Sequence, residues 1–344
     1  MFDHENNRSV AQWLTVCAIL IFAMVILGGV TRLTGSGLSM VDWHPIHGVV
    51  PPLNQQEWLE EFANYQQSPE FQKLNRNMDL DGFKGIFYFE YAHRMLGRLI
   101  GLVFLVPFLW FLVKGKIRRG LTPRLFFMFI LGGFQGLLGW YMVKSGLVDN
   151  PHVSQYRLTA HLLAAIAIYA LIVWTALDLL ATDSRVPKRQ STRPGYRKAS
   201  HYLVLLVLLT IVSGGFVAGL EAGRIFNTFP TMGGQWVPEG ILALTPWYLN
   251  PFENMVTVQF NHRVLALTTG FLGLVYWLLS FRDSFDRATR SSFNLVGLMV
   301  VIQVFLGIST LLLHVPVWLG AIHQAGALLL FTFVLLNMHR LSRL

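Results

Sequence analysis

The chain has 344 residues, of which 53% are hydrophobic and only 13% charged, with a formal net charge of +9. The charged share is about half that of an average soluble domain, and the apolar residues fall in long uninterrupted runs, which excludes an ordinary water-soluble enzyme. The positive charge does not point to nucleic acid, because most of the 27 Lys and Arg cluster in short segments between those runs, such as Lys114, Lys116, Arg118 and Arg119.

A bilayer core about 30 Å thick needs roughly 20 apolar residues per spanning helix. Eight stretches qualify: Trp13–Val30, Met95–Val113, Leu125–Val143, Leu158–Leu180, Tyr202–Leu220, Val264–Phe281, Phe293–Leu313 and Val317–Met338. The predicted fold is an all-α integral membrane protein with eight transmembrane helices. The first stretch has no basic leader and no small-residue cleavage site, so it is read as a span and not as a signal peptide. Its Cys17 is the only cysteine, which rules out an internal disulfide and any cysteine-built metal centre. Loops rich in Lys and Arg alternate with poor ones, and the positive-inside bias places both termini in the cytoplasm.

Between the first and second spans lies a long outer loop, Thr31–Glu90. It has a Pro/Gly-rich entry from Trp43-His44-Pro45 to Pro51-Pro52, and then an amphipathic stretch with Trp58, Phe62 and Tyr65 at helical spacing. Such a helix suits the membrane interface over the first spans. Gly97 and Gly101 on the second span, and Gly132 and Gly136 on the third, are small-xxx-small pairs that predict close helix packing. Ser184–Arg197 is a basic connector with two prolines, and Glu221–Val258 is a second outer loop rich in Pro, Gly, Trp and Phe.

The chain is internally duplicated. Glu90-Tyr-Ala-His93-Arg94-Met-Leu-Gly97 matches Gln259-Phe-Asn-His262-Arg263-Val-Leu-Ala266. Gln135-Gly-Leu-Leu-Gly139 matches Gln303-Val-Phe-Leu-Gly307, Thr159-Ala-His161 matches Ala321-Ile-His323, and Gly28-Gly29 matches Gly214-Gly215. The order is preserved at the same span of each half. This predicts two pseudo-symmetric four-helix bundles, residues 1–183 and 198–344, joined by the linker 184–197. Four spans per half make the repeat parallel, with its axis along the membrane normal.

Of the eleven histidines, four are placed by the duplication near the starts of the even-numbered spans: His93, His161, His262 and His323. Polar groups at that depth are costly and tend to be functional, although an interhelical hydrogen bond is the plainer use. Two imidazoles per half, with no carboxylate or thiolate completing a set in both, fit zinc poorly and fit the two axial faces of a haem iron well. Arg94, Arg98 and Arg263 are positioned to pair with haem propionates, or else to snorkel to the interface. The halves differ at one position. Glu90 shares a helix face with His93, whereas its counterpart Gln259 is neutral. A carboxylate there could act as a base or stabilise positive charge, so the first half is the better candidate for chemistry; a plain ion pair with Arg94 is the alternative.

Glu90-x-x-His93-Arg94, Gly35-Ser-Gly-Leu-Ser-Met-Val-Asp-Trp-His-Pro45, and Asn227-Thr-Phe-Pro230 with Trp236-Val-Pro238 together resemble the haem A synthase family over nearly the whole chain. The absence of outer-loop cysteines resembles its proteobacterial and mitochondrial branch, and Gly233 departs from an acidic residue in many relatives. The resemblance implies oxidation of the C8 methyl of haem O to a formyl group by successive hydroxylations, yielding haem A for cytochrome c oxidase. It implies Glu90, His93 and His161 at the substrate haem O, and His262 and His323 on a haem b. It further implies a bacterial inner-membrane location, a haem O-forming prenyltransferase as substrate donor and an electron-transfer partner, and is compatible with a homo-oligomer. The competing functions are a di-haem b-type electron-transfer cytochrome and a transporter. The latter lacks polar-lined or broken helices. A prenyltransferase would want Asp-rich magnesium sites that the spans do not offer.

Overall fold

The computed structural model describes residues 2–41, 47–147, 151–181 and 194–343. Among these, eight helices are long and apolar enough to cross a membrane: α1 (Phe2–Leu33), α4 (Leu80–Val113), α5 (Thr122–Gly146), α6 (Gln155–Ala181), α7 (Pro194–Gly219), α9 (Met255–Ser280), α10 (Arg287–Leu312) and α11 (Val317–Leu341). Shorter helices α2 (Gln55–Gln66) and α3 (Pro69–Lys73) lie between α1 and α4, and α8 (Asn250–Glu253) precedes α9. The chain is therefore a multi-pass helical membrane protein. The Trp43-His44-Pro45 segment and linker residues 184–193 lie outside the described residues, and the remainder of the linker is already helical because α7 starts at Pro194.

Each set of four long helices closes on itself. α1 packs on α4, α4 on α5, α5 on α6 and α6 back on α1; α7, α9, α10 and α11 repeat the circuit. The two sets meet where α1 touches α11, α6 touches α7 and α6 touches α11. These contacts map onto one another when the first set is exchanged for the second.

Buried apolar side chains are concentrated at the end away from the long loops: Val10 and Leu14 on α1, Phe108 and Phe111 on α4, Leu125 and Met128 on α5, and Phe293 and Val296 on α10. Polar ties lock that end as well. Tyr276 donates to Asn337 Oδ1, Asn337 donates to Ser292 Oγ, and the buried His339 pairs with Asp178 at 2.9 Å. The paired histidines lie toward the loop end, where a second, smaller apolar cluster gathers Met40, Trp58, Tyr65, Phe83 and Phe87.

One boundary differs from the sequence reading. The hydropathy run begins at Met95, but α4 begins at Leu80, capped by Asp79 accepting from the Gly82 amide at 2.9 Å. His93 is thus more than three turns from the start of its helix, unlike His161, His262 and His323, which lie within about two turns of theirs. The extra turns carry Asp81, Lys84 and Glu90, which interrupt the hydropathy signal. They are stabilised by burying Phe83 and Phe87 beneath the amphipathic helix α2. Trp58 of α2 meets Phe87 edge-on at 5.0 Å, and Tyr65 stacks on Phe83 at 5.0 Å. The predicted amphipathic helix is present, with Asn54 as its N-cap accepting from Glu57 N, and it forms a lid on the extension of α4.

Candidate functional site

Each of the four histidines lies against a glycine of the preceding long helix. A Cβ on Gly28 would sit 3.2 Å from His93 Nε2, and one on Gly139 would sit 3.0 Å from His161 Cε1. The matching positions repeat this: Gly214 at 3.2 Å from His262 Cε1 and Gly307 at 3.0 Å from His323 Cε1. These separations are tighter than a normal side-chain contact, so only glycine lets the imidazole pass this close to the neighbouring backbone. The duplicated glycines thereby acquire a role that their spacing alone did not reveal. The second glycine of each Gly-Gly pair faces the other set of helices: a side chain on Gly29 would collide with Gln324 of α11, and one on Gly215 with Thr159 of α6.

Within each half the two imidazoles come from diagonal helices of one circuit, His93 on α4 with His161 on α6, and His262 on α9 with His323 on α11. The duplicated glutamines hold the fourth and eighth spans in register: Gln135 Nε2 donates to the His161 carbonyl at 2.9 Å, and Gln303 Nε2 to the His323 carbonyl at 2.9 Å. Among the described residues no group of three or more His, Cys, Asp or Glu gathers to hold a metal ion. A pair of imidazoles leaves most of a metal's coordination to another ligand, which is what a porphyrin supplies. Buried polar atoms without partners at these levels, His161 Nδ1 and the Oε1 atoms of Gln135 and Gln303, fit a site completed by a bound group, because orphaned buried polar atoms are costly in a self-contained core.

Outside the imidazoles the halves diverge. Glu90 is 3% exposed. Its Oε2 accepts from Ser39 Oγ at 2.7 Å and from the Met40 amide at 2.9 Å, and its Oε1 pairs with Arg94 Nη2 at 2.5 Å. Arg94 also donates to the Met40 carbonyl at 3.0 Å. The ion pair weighed as an alternative therefore exists, and it is buried together with two neutral donors. At the equivalent place Gln259 donates to the Phe226 carbonyl at 2.9 Å, and its Oε1 has no partner. Arg263 donates to the carbonyls of Phe226 and Thr228 at 2.7 and 2.8 Å. In both halves the arginine after the histidine ties its helix to an outer loop. Arg263 keeps a buried Nε without a partner, while Arg98 leans on Met95 Sδ at 3.8 Å.

The imidazoles are also held differently. Ser213 Oγ shares a 2.8 Å hydrogen bond with His262 Nδ1, and Gln303 Nε2 lies 3.1 Å from His323 Nδ1. In the first half the position of Ser213 is taken by Leu27, and Gln135 Nε2 is 3.5 Å from His161 Nε2. Ser213 escaped the sequence reading, although it directly precedes the Gly-Gly pair; Ser39 lay inside a quoted motif but received no role.

The small-residue spacing predicts close helix packing, and of its four glycines only Gly97 shows it, with a Cβ there 3.1 Å from Met24 Cε. Nothing lies within 4 Å of a Cβ on Gly101, Gly132 or Gly136, although Gly132 and Gly136 share a face with Gly139, which touches His161. In the second half the corresponding space is filled: a Cβ on Gly270 would meet Val304 at 2.9 Å and one on Gly273 would meet Val300 at 2.8 Å. The first half is hollower at this depth.

Fold and site together define a polytopic helical membrane protein that presents two imidazole pairs, one beside a buried carboxylate and one beside an amide. Residues 11–335 match the family model described as cytochrome oxidase assembly protein, and the chain belongs to that family. It is 52% identical over 337 residues to a heme A synthase of Nitrosospira multiformis, covering 98% of this chain and 94% of the relative. It is 48% identical over 343 residues to a Homo sapiens heme A synthase, covering 98% and 83%, and 46% identical over 348 residues to one of Arabidopsis thaliana, covering 98% and 76%.

Proposed function

We propose that this protein is a haem A synthase that oxidises the C8 methyl of haem O to a formyl group by successive hydroxylations, in two halves with distinct duties. The substrate haem O is held in the first half by His93 and His161. A haem b is held in the second by His262 and His323, where it supplies one-electron chemistry when bound. Arg94, Arg98 and Arg263 stand at the loop end, where anionic propionates prefer to lie. The observation that carries this reading is the single charged difference at otherwise matched sites: Glu90 beside His93, against Gln259 beside His262.

Glu90 is fixed by Arg94, Ser39 and the Met40 amide, so it offers a positioned negative charge without reorganisation, the condition under which electrostatic stabilisation of a developing cation is largest. The open glycine-lined interior of the first half suits a ligand that enters and leaves, and the valine-filled second half suits one that stays. The lid of α2 over the extension of α4 keeps water from the reacting methyl. The loop-charge bias supports cytoplasmic termini, and a bacterial inner membrane is the location this reading carries with it. A haem O-forming prenyltransferase is the natural substrate donor, with a separate electron acceptor.

The test is chromatography of haem extracted from cells that express the chain together with a source of haem O. Haem A is expected with the native sequence and is expected to fall away with Glu90→Ala. Native protein that retains two tight haems and leaves haem O unchanged would replace this reading with that of a di-haem electron-transfer cytochrome.

A further inference from the structure

We propose that Glu70 carries protons between the Glu90–Arg94 site and the water at the loop end; the inference rests on the haem-oxidising function proposed above. An oxidation at carbon moves protons as well as electrons, and the first-half site lies beneath a lid. Glu90 is poorly suited to shuttling, because both of its oxygens are engaged by an arginine and two fixed donors.

Glu70 lies on α3, within the lid segment. It is 6% exposed. Its Oε2 accepts one hydrogen bond, from Tyr65 Oη at 3.1 Å, and the fully buried Tyr65 in turn accepts from Asn75 Nδ2 at 2.7 Å. Among the described residues its carboxylate forms no ion pair within 4 Å. The charged groups that act on it from the packed elements are Glu90 on α4 and Arg32 at the loop end of α1. Arg32 is itself committed to the Gly219 carbonyl and to Glu221. A buried carboxyl with so little compensation resists ionisation. Burial, reinforced by Glu90 and opposed by the Tyr65 hydrogen bond and Arg32, pushes Glu70 up to about 7. A group poised there changes protonation state with little driving force in either direction, as a proton carrier must.

The step is a simple exchange. The Glu70 carboxylate takes the proton released when a C–H bond of the substrate methyl is broken, the electrons leaving to the separate acceptor, and becomes the neutral acid. That same O–H bond then breaks as the proton passes to water at the loop end, restoring the carboxylate. The reverse sequence delivers a proton inward.

The experiment is the pH dependence of haem A formation by the full-length, haem-loaded protein across roughly pH 5 to 9, a range bracketing the ordinary and the raised carboxyl values. The wild type is expected to show an inflection near 7. Glu70→Gln should remove the inflection and slow turnover about tenfold or more, with the haem b spectrum intact, and Glu70→Asp should restore both. Tyr65→Phe should move the inflection to higher pH, since it deletes a donor that favours the charged form. A Glu70→Gln protein with the wild-type rate and profile overturns the proposal, and so does a slow one that keeps the inflection. If Glu70→Gln fails to fold, an unmoved inflection in Tyr65→Phe overturns it. Wild-type protein that forms no haem A at any pH removes the functional reading itself, which is a different result from an active enzyme indifferent to Glu70.

Discussion

The two halves of this protein carry the same four-helix circuit and the same imidazole-on-glycine contact, yet they hold their histidines with different firmness. In the second half Ser213 and Gln303 reach the Nδ1 atoms of His262 and His323, and Val300 and Val304 fill the space beside Gly273 and Gly270. In the first half His161 Nδ1 has no partner, Leu27 replaces the serine, and Gly101, Gly132 and Gly136 face open space. What the first half has instead is an ion pair and a lid. On the proposed function, a duplicated scaffold is divided between retention and chemistry by what surrounds the four histidines, which both halves keep. Neighbours that orient a ligating imidazole tune how tightly the metal is held, and losing one weakens affinity.

The comparison can be broken most decisively at the histidines. His262→Ala or His323→Ala should abolish the low-spin haem b spectrum of the purified protein, whereas Glu90→Ala should leave it intact; retention of that spectrum in both histidine variants would refute the second-half haem. Next in size is Arg94→Ala, which leaves Glu90 buried and unpaired and should cost about 3–5 kcal/mol of stability, read as a lowered midpoint in detergent-solubilised thermal unfolding. Arg263→Ala breaks only bonds to carbonyls and should cost less.

Filling the first half tests the hollow directly. Gly132→Val with Gly136→Val should lower substrate turnover while sparing the haem b spectrum, because each valine reproduces what Val300 and Val304 already provide in the second half. Equal loss of both signals would mean that the glycines serve global packing. The smallest effect is expected from Ser213→Ala. Loss of one hydrogen bond, about 1 kcal/mol, should weaken haem b retention roughly fivefold in a competition assay with apo-myoglobin and leave the fold intact.

Much of this was legible before any coordinates. The eight spans could be read because a helix in a bilayer must satisfy its own backbone and present apolar side chains for its whole length, which leaves a signal in consecutive residues. The repeat could be read because it preserved local strings around His93 and His262, and Glu90 stood out only because its twin is Gln259. The start of α4 was not legible, since Asp81, Lys84 and Glu90 break the hydropathy signal, and only burial of Phe83 and Phe87 under Trp58 and Tyr65 makes helix the better state there. Glu70 was equally hidden: in sequence it is one acidic residue in a polar loop.

What the sequence alone determined is therefore the membrane class, the span count, the duplication and the identity of the four imidazoles and the one charged difference between them. What tertiary structure decided is the partnership of each: that Glu90 is clamped by Arg94, Ser39 and Met40, that His262 leans on Ser213, that glycines admit the rings, and that one half is hollow where the other is filled. The physical reason is range. Spanning propensity and repeats are properties of neighbouring residues, while hydrogen bonds and packing join side chains from helices far apart in the chain, and their existence depends on how those helices come to rest against one another.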